Sequence, residues 1–219
     1  MSRRTSLLLC LLLTAGAPCA RPDGTAVLSS DTDWQTVEQK DDVSIFERAR
    51  AGSSFKEFKG VGDIDAPPAE VERVLLDVPS YPAFMPYVTE ARILSVNGNH
   101  SLTYQRVAFP MVSNRDYTLK IERGTVTGPA GVIYRDTWQA DSDAGPAELH
   151  GVVRVKMDEG SWLLEPAGPN GASTRATYQI YTDSGGALPA FLANRGCQMA
   201  VPKLFEAIRK QVQDPKYKR

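Results

Sequence analysis

The chain has 219 residues, 42% of them hydrophobic and 23% charged, with 25 Lys and Arg against 26 Asp and Glu. That balance offers no basic surface for a phosphate backbone, so no nucleic-acid partner is expected. Three cysteines are too few to staple a fold of this size, which must be held by its own core.

Arg3-Arg4 form a basic n-region, Leu7 to Leu13 an apolar h-region, and Ala15-Gly16-Ala17 an A-x-A cleavage site. The apolar run is far shorter than the ~20 residues a spanning helix needs. Residues 1–20 are therefore expected as a secretory signal peptide, and the protein as exported, either periplasmic or secreted. A lipoprotein anchored through Cys19 is the alternative, although Gly16-Ala17-Pro18 fits a lipoprotein cleavage site poorly. Without Arg3 and Arg4 the count becomes 23 basic against 26 acidic residues, a net charge of −3. The roughly 200 residues that remain suit one domain with a substantial core. Cys10 leaves with the leader, and a Cys19–Cys197 bridge is allowed but not required.

Residues 21–33 are small and polar and read as a flexible N-terminal segment. Strand patterns follow at Trp34 to Gln39, Val43 to Arg48 and Phe55 to Ile64, the first two separated by a Lys40-Asp41-Asp42 turn. At Asp65-Ala66-Pro67-Pro68 the period changes. The two prolines suit a first helical turn, and Val71, Val74, Leu75 and Val78 recur at helical spacing. Pro79, Pro82 and Pro86 then confine Tyr81, Phe84 and Met85 to a second short helix or turn.

Further strands are expected from Val88 to Ser95, Leu102 to Val107, Arg115 to Glu122, Gly131 to Ala140, Leu149 to Met157, Ser161 to Glu165 and Thr174 to Thr182. Asn97-Gly98-Asn99 and Pro169-Asn170-Gly171 supply hairpin turns. After Asp183-Ser184-Gly185-Gly186, Pro189 opens a long helix whose stripe comprises Ala193, Cys197, Ala200, Val201, Leu204, Ile208 and Val212. Pro202 removes the bond to residue 198 and bends this helix over the sheet. The order is an α+β layout: a curved antiparallel sheet wrapped around a C-terminal helix, with two short helices after the third strand.

One connection breaks the rule that surface loops are polar. Phe109-Pro110-Met111-Val112 joins two strands, and Pro110 stops the ladder by lacking an amide proton. An apolar loop in that place covers a core edge, a ligand cavity or a membrane surface.

Four segments together resemble the START (StAR-related lipid transfer) domain, of the Bet v 1-like superfamily. They are Trp34 at the first strand; Phe109 to Tyr117, similar to that family's loop followed by an Arg-Asp-aromatic element; Gly160 to Pro166; and Tyr178 to Asn194. The resemblance covers residues 34–213, leaving 214–219 as a tail. It implies a helix-grip fold, a single tunnel between sheet and helix holding one hydrophobic lipid, and a lid at Phe109 to Val112. It names no lipid, since sterols, phospholipids, ceramides and pigments all occur in the family.

The residues expected to meet the lipid are Phe109, Met111, Val112, Arg115, Tyr104, Tyr178, Leu192 and Met199. Arg115 and Asp116 point to opposite faces of their strand, so at most one faces the tunnel. Asp116 is expected to be architectural; Arg115 is evenly balanced between a ligand headgroup and buried carbonyls. Tyr104, Tyr117, Tyr178 and Tyr181 offer hydroxyls along apolar walls, although most buried tyrosines simply pack. Met199, at the edge of the helix stripe, suits a flexible ligand or core filling.

Enzyme signatures are weak. His100 and His150 lack partners at metal-ligand spacing, and there is no G-x-S-x-G elbow. No cofactor or metal is expected. The leading expectation is a noncatalytic, monomeric lipid carrier that touches membranes transiently. The alternative is a polyketide cyclase or aromatase-like enzyme, for which Arg115, Glu122, Asp136 and Tyr178 are the polar candidates.

Overall fold

The alternation of apolar and polar residues resolves into one sheet, antiparallel in all but one short pairing, in the computed structural model, which describes residues 33–218. The expected leader, most of the segment after it, and Cys19 lie outside the described residues. The strands are β1 (Gln35–Lys40), β2 (Val43–Ala49), β3 (Lys56–Ile64), β4 (Val88–Asn97), β5 (His100–Val107), β6 (Arg115–Gly128), β7 (Gly131–Ala140), β8 (Val153–Arg154), β9 (Met157–Ala167) and β10 (Ser173–Asp183). The sheet runs β1-β2-β3-β10-β9-β7-β6-β5-β4, so the last strand closes onto the first hairpin. Between β3 and β4 lie α1 (Pro68–Leu76) and α2 (Tyr81–Phe84); α3 (Ala190–Gln211) follows β10. This is the expected helix-grip arrangement.

Side chains alternate across the sheet, so the register assigns each residue to a face. Gly60, Tyr178, Trp162, Asp136 and Arg123 form one row across β3, β10, β9, β7 and β6. This row lies on the concave face, because α3 packs there: a Cβ on Gly60 would meet Val201 Cγ1 at 2.5 Å and Phe205 Cε2 at 3.0 Å. The helix thus comes close to the backbone of β3. Asn194 Oδ1 accepts from the Lys56 amide at 3.0 Å, and Arg209 Nε donates to the Asp63 carbonyl at 2.8 Å. Val201, Phe205, Ile208 and Val212 are buried against Val43, Ile45, Phe58 and Ile64. Phe205, absent from the expected stripe, is fully buried at its centre.

α1 starts where Pro68 occupies a first-turn position whose amide would be unsatisfied anyway. Its buried face carries Val71, Val74 and Leu75, but also Glu72. The expected C-terminal tail is instead a docked 3-10 turn, Pro215–Tyr217. Tyr217 is buried, its hydroxyl donates to Asp77 Oδ2 at 2.8 Å, and its carbonyl accepts from Arg73 Nη2 at 2.6 Å.

The strand expected at 149–157 is mostly a covering loop. Only Val153 and Arg154 pair, in parallel with Arg115 and Asp116 of β6. The reason is Arg154, which leaves the local alternation to form an ion pair: its Nε donates to Asp116 Oδ1 at 2.7 Å and its Nη2 to Oδ2 at 3.1 Å.

Candidate functional site

The concave face divides between two roofs. α3 packs on β2 and β3, whereas α1 packs on β7, β9 and β10 and α2 on β4. The odd-numbered residues of β6 from Arg115 to Arg123 line that second part, because they share a face with Arg123. Eight residues of strand separate the loop end from the Arg123 end, about 27 Å.

At the loop end, Phe109 stacks on Tyr87, ring centroids 4.6 Å apart. The Ala108 amide donates to the Tyr87 carbonyl at 2.9 Å, and Lys203 Nζ of α3 donates to the Tyr87 hydroxyl at 2.7 Å. The loop is therefore pinned to α3 through a single tyrosine. Met111, at the tip, is 103% exposed and holds φ at 66°; Tyr87 also sits at φ 66°. Both are conformations that side-chain-bearing residues adopt at a cost. Val112 is half-buried.

Arg115 is buried on the concave face beside this loop. One of its terminal nitrogens donates to the Ser113 carbonyl, and its Nε has no partner. Burial lowers its proton affinity. Asp116 points the other way, as expected. Its partner, however, is Arg154, and the Tyr104 hydroxyl adds a third contact at 3.0 Å.

Tyr104 must therefore be corrected. It lies on the convex face, opposite Thr118 in the register, where burial and Asp116 push its hydroxyl up to about 12. It belongs to the Asp116–Arg154 cluster and has no access to the concave side. Tyr178 does lie on the concave face, stacked between Trp138 at 5.7 Å and Trp162 at 4.6 Å. Leu192 and Met199 are exposed, 47% and 49%, on the N-terminal half of α3.

Tyr81, Tyr117, Tyr178 and Cys197 sit deep in the molecule. Desolvation is the leading cause that pushes up each tyrosine hydroxyl, and it pushes the Cys197 thiol up to about 12. All four nonetheless remain only half-buried. Nearby, Trp138 Nε1 donates to Asp158 Oδ1 at 2.8 Å, and burial raises that carboxyl to about 6.

At the opposite end, Glu72 of α1, Tyr81 of α2, Arg123 of β6 and Asp136 of β7 face one another closely enough to feel each other's charge. Burial raises Glu72 to about 7, reinforced by Asp136 and opposed by Arg123; it raises Asp136 to about 6 against the same arginine. Asp136 was named in the sequence only as an enzyme candidate. Glu72, Arg123 and Tyr87 were not singled out. The signal for Glu72 was available: it interrupts the buried side of an otherwise apolar helix.

A family described as polyketide cyclase/dehydrase and lipid transport matches residues 64–209. An uncharacterized protein of Pseudomonas aeruginosa is 31% identical over 163 residues, 74% of this chain and 78% of its own length. The phosphatidylcholine transfer protein of Rattus norvegicus is 26% identical over 198 residues, 90% of each chain. Among solved structures, a STAR-related lipid transfer protein fragment from Xanthomonas axonopodis superposes with a TM-score of 0.74 at 24% identity. That match covers 83% of this chain and 99% of the fragment.

Proposed function

The chain belongs to the polyketide cyclase/dehydrase and lipid transport family, whose START-type fold it shares, and we propose that it is a noncatalytic carrier of one hydrophobic lipid. The observation that carries this reading is accessible surface in an unusual place. Tyr81, Tyr117, Tyr178 and Cys197 are walled in by protein and still present half-buried surface. Side chains in that situation line an internal cavity, here with Trp138 and Trp162 on its floor.

The driving chemistry is burial. A lipid gains ~0.8 kcal/mol for each methylene removed from water. Against a bilayer the gain nearly cancels, which is the condition for exchange. Phe109 to Val112 act as the gate, closed by the Tyr87 stack and opened when the exposed Met111 enters a membrane surface. The phosphatidylcholine transfer relatives support lipid transfer as the activity. The leader-like pattern of residues 1–20 supports a carrier that works outside the cytoplasm, as a monomer between membranes.

Bromine on an acyl chain quenches tryptophan fluorescence on contact, and Trp138 and Trp162 sit on the proposed floor. In a Trp34→Phe background, vesicles of dibromoacyl phosphatidylcholine should quench saturably at one lipid per chain. Absence of quenching at saturating lipid contradicts the reading. Glu72 and Asp136, with proton affinities raised toward neutrality, are the one feature that favours the cyclase alternative; turnover of an added polyketone by the lipid-free protein would establish it.

A further inference from the structure

The convex face of the sheet carries a groove for which the carrier reading has no use. It holds about 270 Å3 and is bordered by Trp34, Arg48, Glu57, Glu159 and Tyr181. That is just below the range of pockets for drug-sized ligands, so its occupant is small. The floor is formed by Arg135 and Thr137 of β7, Ser161 of β9 and Gln179 of β10. Each is the chain neighbour of a concave-face residue, Asp136, Trp162 or Tyr178, so strand alternation turns all four away from the lipid side.

Border and floor differ in what they have left to bind. Arg48 pairs with Glu57, and Arg50 with Glu159. The Arg48 guanidinium lies 4.4 Å from the Trp34 ring centroid and that of Arg50 3.9 Å from the Tyr181 ring, whose hydroxyl donates to Ser53 Oγ at 3.0 Å. On the floor, Thr137, Ser161 and Gln179 are half-buried and stand in one register row across three strands, about 4.8 Å from one to the next. Arg135 is beside Thr137 on the same face of β7. Among the described residues, none of these four side chains has a hydrogen-bond or ion-pair partner.

The open groups select the occupant. Two hydroxyls and an amide each donate and accept, so a ligand that meets all three must do the same along about 10 Å. Hydroxyl groups do this, whereas an ammonium only donates and a carboxylate only accepts. Of the charges lining the groove, Glu57 and Glu159 are neutralised by their arginines and Arg48 by Glu57. Arg135 remains as one unpaired cation, and its planar fork fits a carboxylate on two nitrogens. Several hydroxyls and one carboxylate on a small ring answer both demands, and Trp34 and Tyr181 offer apolar surface to the ring's C–H groups.

We propose that this convex groove binds an acidic saccharide, its carboxylate on Arg135 and its hydroxyls on Thr137, Ser161 and Gln179. The site is separated from the lipid by the thickness of the sheet, and the proposal does not depend on the carrier reading.

The test follows the Gln179 side-chain amide and Arg135 Nε resonances of the isotope-labelled full chain during titration with three probes: methyl glucuronide, methyl glucoside and acetate. Methyl glucuronide is expected to shift both resonances saturably, with an affinity about tenfold above that of either other probe. Arg135→Gln should bring methyl glucuronide down to the level of methyl glucoside, and Ser161→Ala should weaken both sugars about fivefold. Neither substitution should alter lipid transfer, because both side chains face away from the lipid. Equal affinity for acetate and methyl glucuronide overturns the proposal in favour of a plain anion contact. Equal affinity for the two sugars in the parent chain removes Arg135 and the acidic class. Shifts from none of the three overturn it outright, and these three outcomes need no variant.

Discussion

Phe109 stacks on Tyr87 at 4.6 Å with the ring planes tilted by 39°, and Tyr87 is held in turn by Lys203 of α3. The apolar loop is thereby fastened to the helix by one aromatic contact, worth about 0.5–1.5 kcal/mol. A loop fastened that lightly can open on the timescale of loop motion. Replacing Phe109 and Met111 together with Ser should slow transfer of a fluorescent lipid between vesicles several-fold. Stability should fall by about 1–2 kcal/mol, set by the lost Phe109–Tyr87 stack, since Met111 is fully exposed. An unchanged transfer rate would remove the loop from the mechanism.

The convex cluster predicts the opposite pattern. Arg154→Met leaves Asp116 buried and unpaired, and should destabilise the fold by about 3–5 kcal/mol in chemical denaturation. Tyr104→Phe removes only one hydrogen bond and should cost about 1 kcal/mol. Lipid affinity should be untouched by Tyr104→Phe, because that ring is on the wrong face. A lowered affinity would restore Tyr104 to the binding wall.

Most of the architecture was legible because alternation and helical spacing are local signals. The apolar stripe from Ala193 to Val212 and the Pro67-Pro68 start of α1 each need only their own neighbours. Tyr104 was misplaced for the complementary reason. An aromatic in a strand fits either face, and only the register with Thr118 of β6 assigns it. The loop from 149 to 157 misled by its own alternation, which the long-range pairing of Arg154 with Asp116 overrides. The inner polar cluster was invisible because it joins α1, β6 and β7, segments more than fifty positions apart at their extremes. Glu72 alone is a charge on a helix; it becomes notable only opposite Arg123 and Asp136.

Stability should fall as pH rises, the reverse of a protein whose carboxylates are ion-paired. Glu72, Asp136 and Asp158 are each raised by burial, to about 7, about 6 and about 6. The folded state therefore holds more protons than the unfolded chain from about pH 4 up to about pH 7. Unfolding free energy declines through that window and levels above it. In the lipid-free protein Glu72→Gln should flatten the decline and raise stability at pH 8, by an amount on the order of 1–3 kcal/mol. Denaturation curves at pH 5 and pH 8 decide it; a parent chain that gains stability across that interval contradicts the assignment.

Gly60→Ala tests the seating of α3. The added methyl would meet Val201 Cγ1 at 2.5 Å, so the helix must shift away from β3. Overpacking of this kind costs about 1–3 kcal/mol. Because α3 also holds Tyr87 through Lys203, the same variant should speed lipid exchange while lowering the melting temperature. Loss of stability with unaltered exchange would show that the helix and the gate are uncoupled.

Native mass spectrometry of the purified chain, before and after incubation with mixed-lipid vesicles, tests the carrier claim most directly. A single added mass corresponding to one lipid per chain, released on denaturation and identified after extraction, is the predicted result. A bare polypeptide mass under both conditions would contradict it.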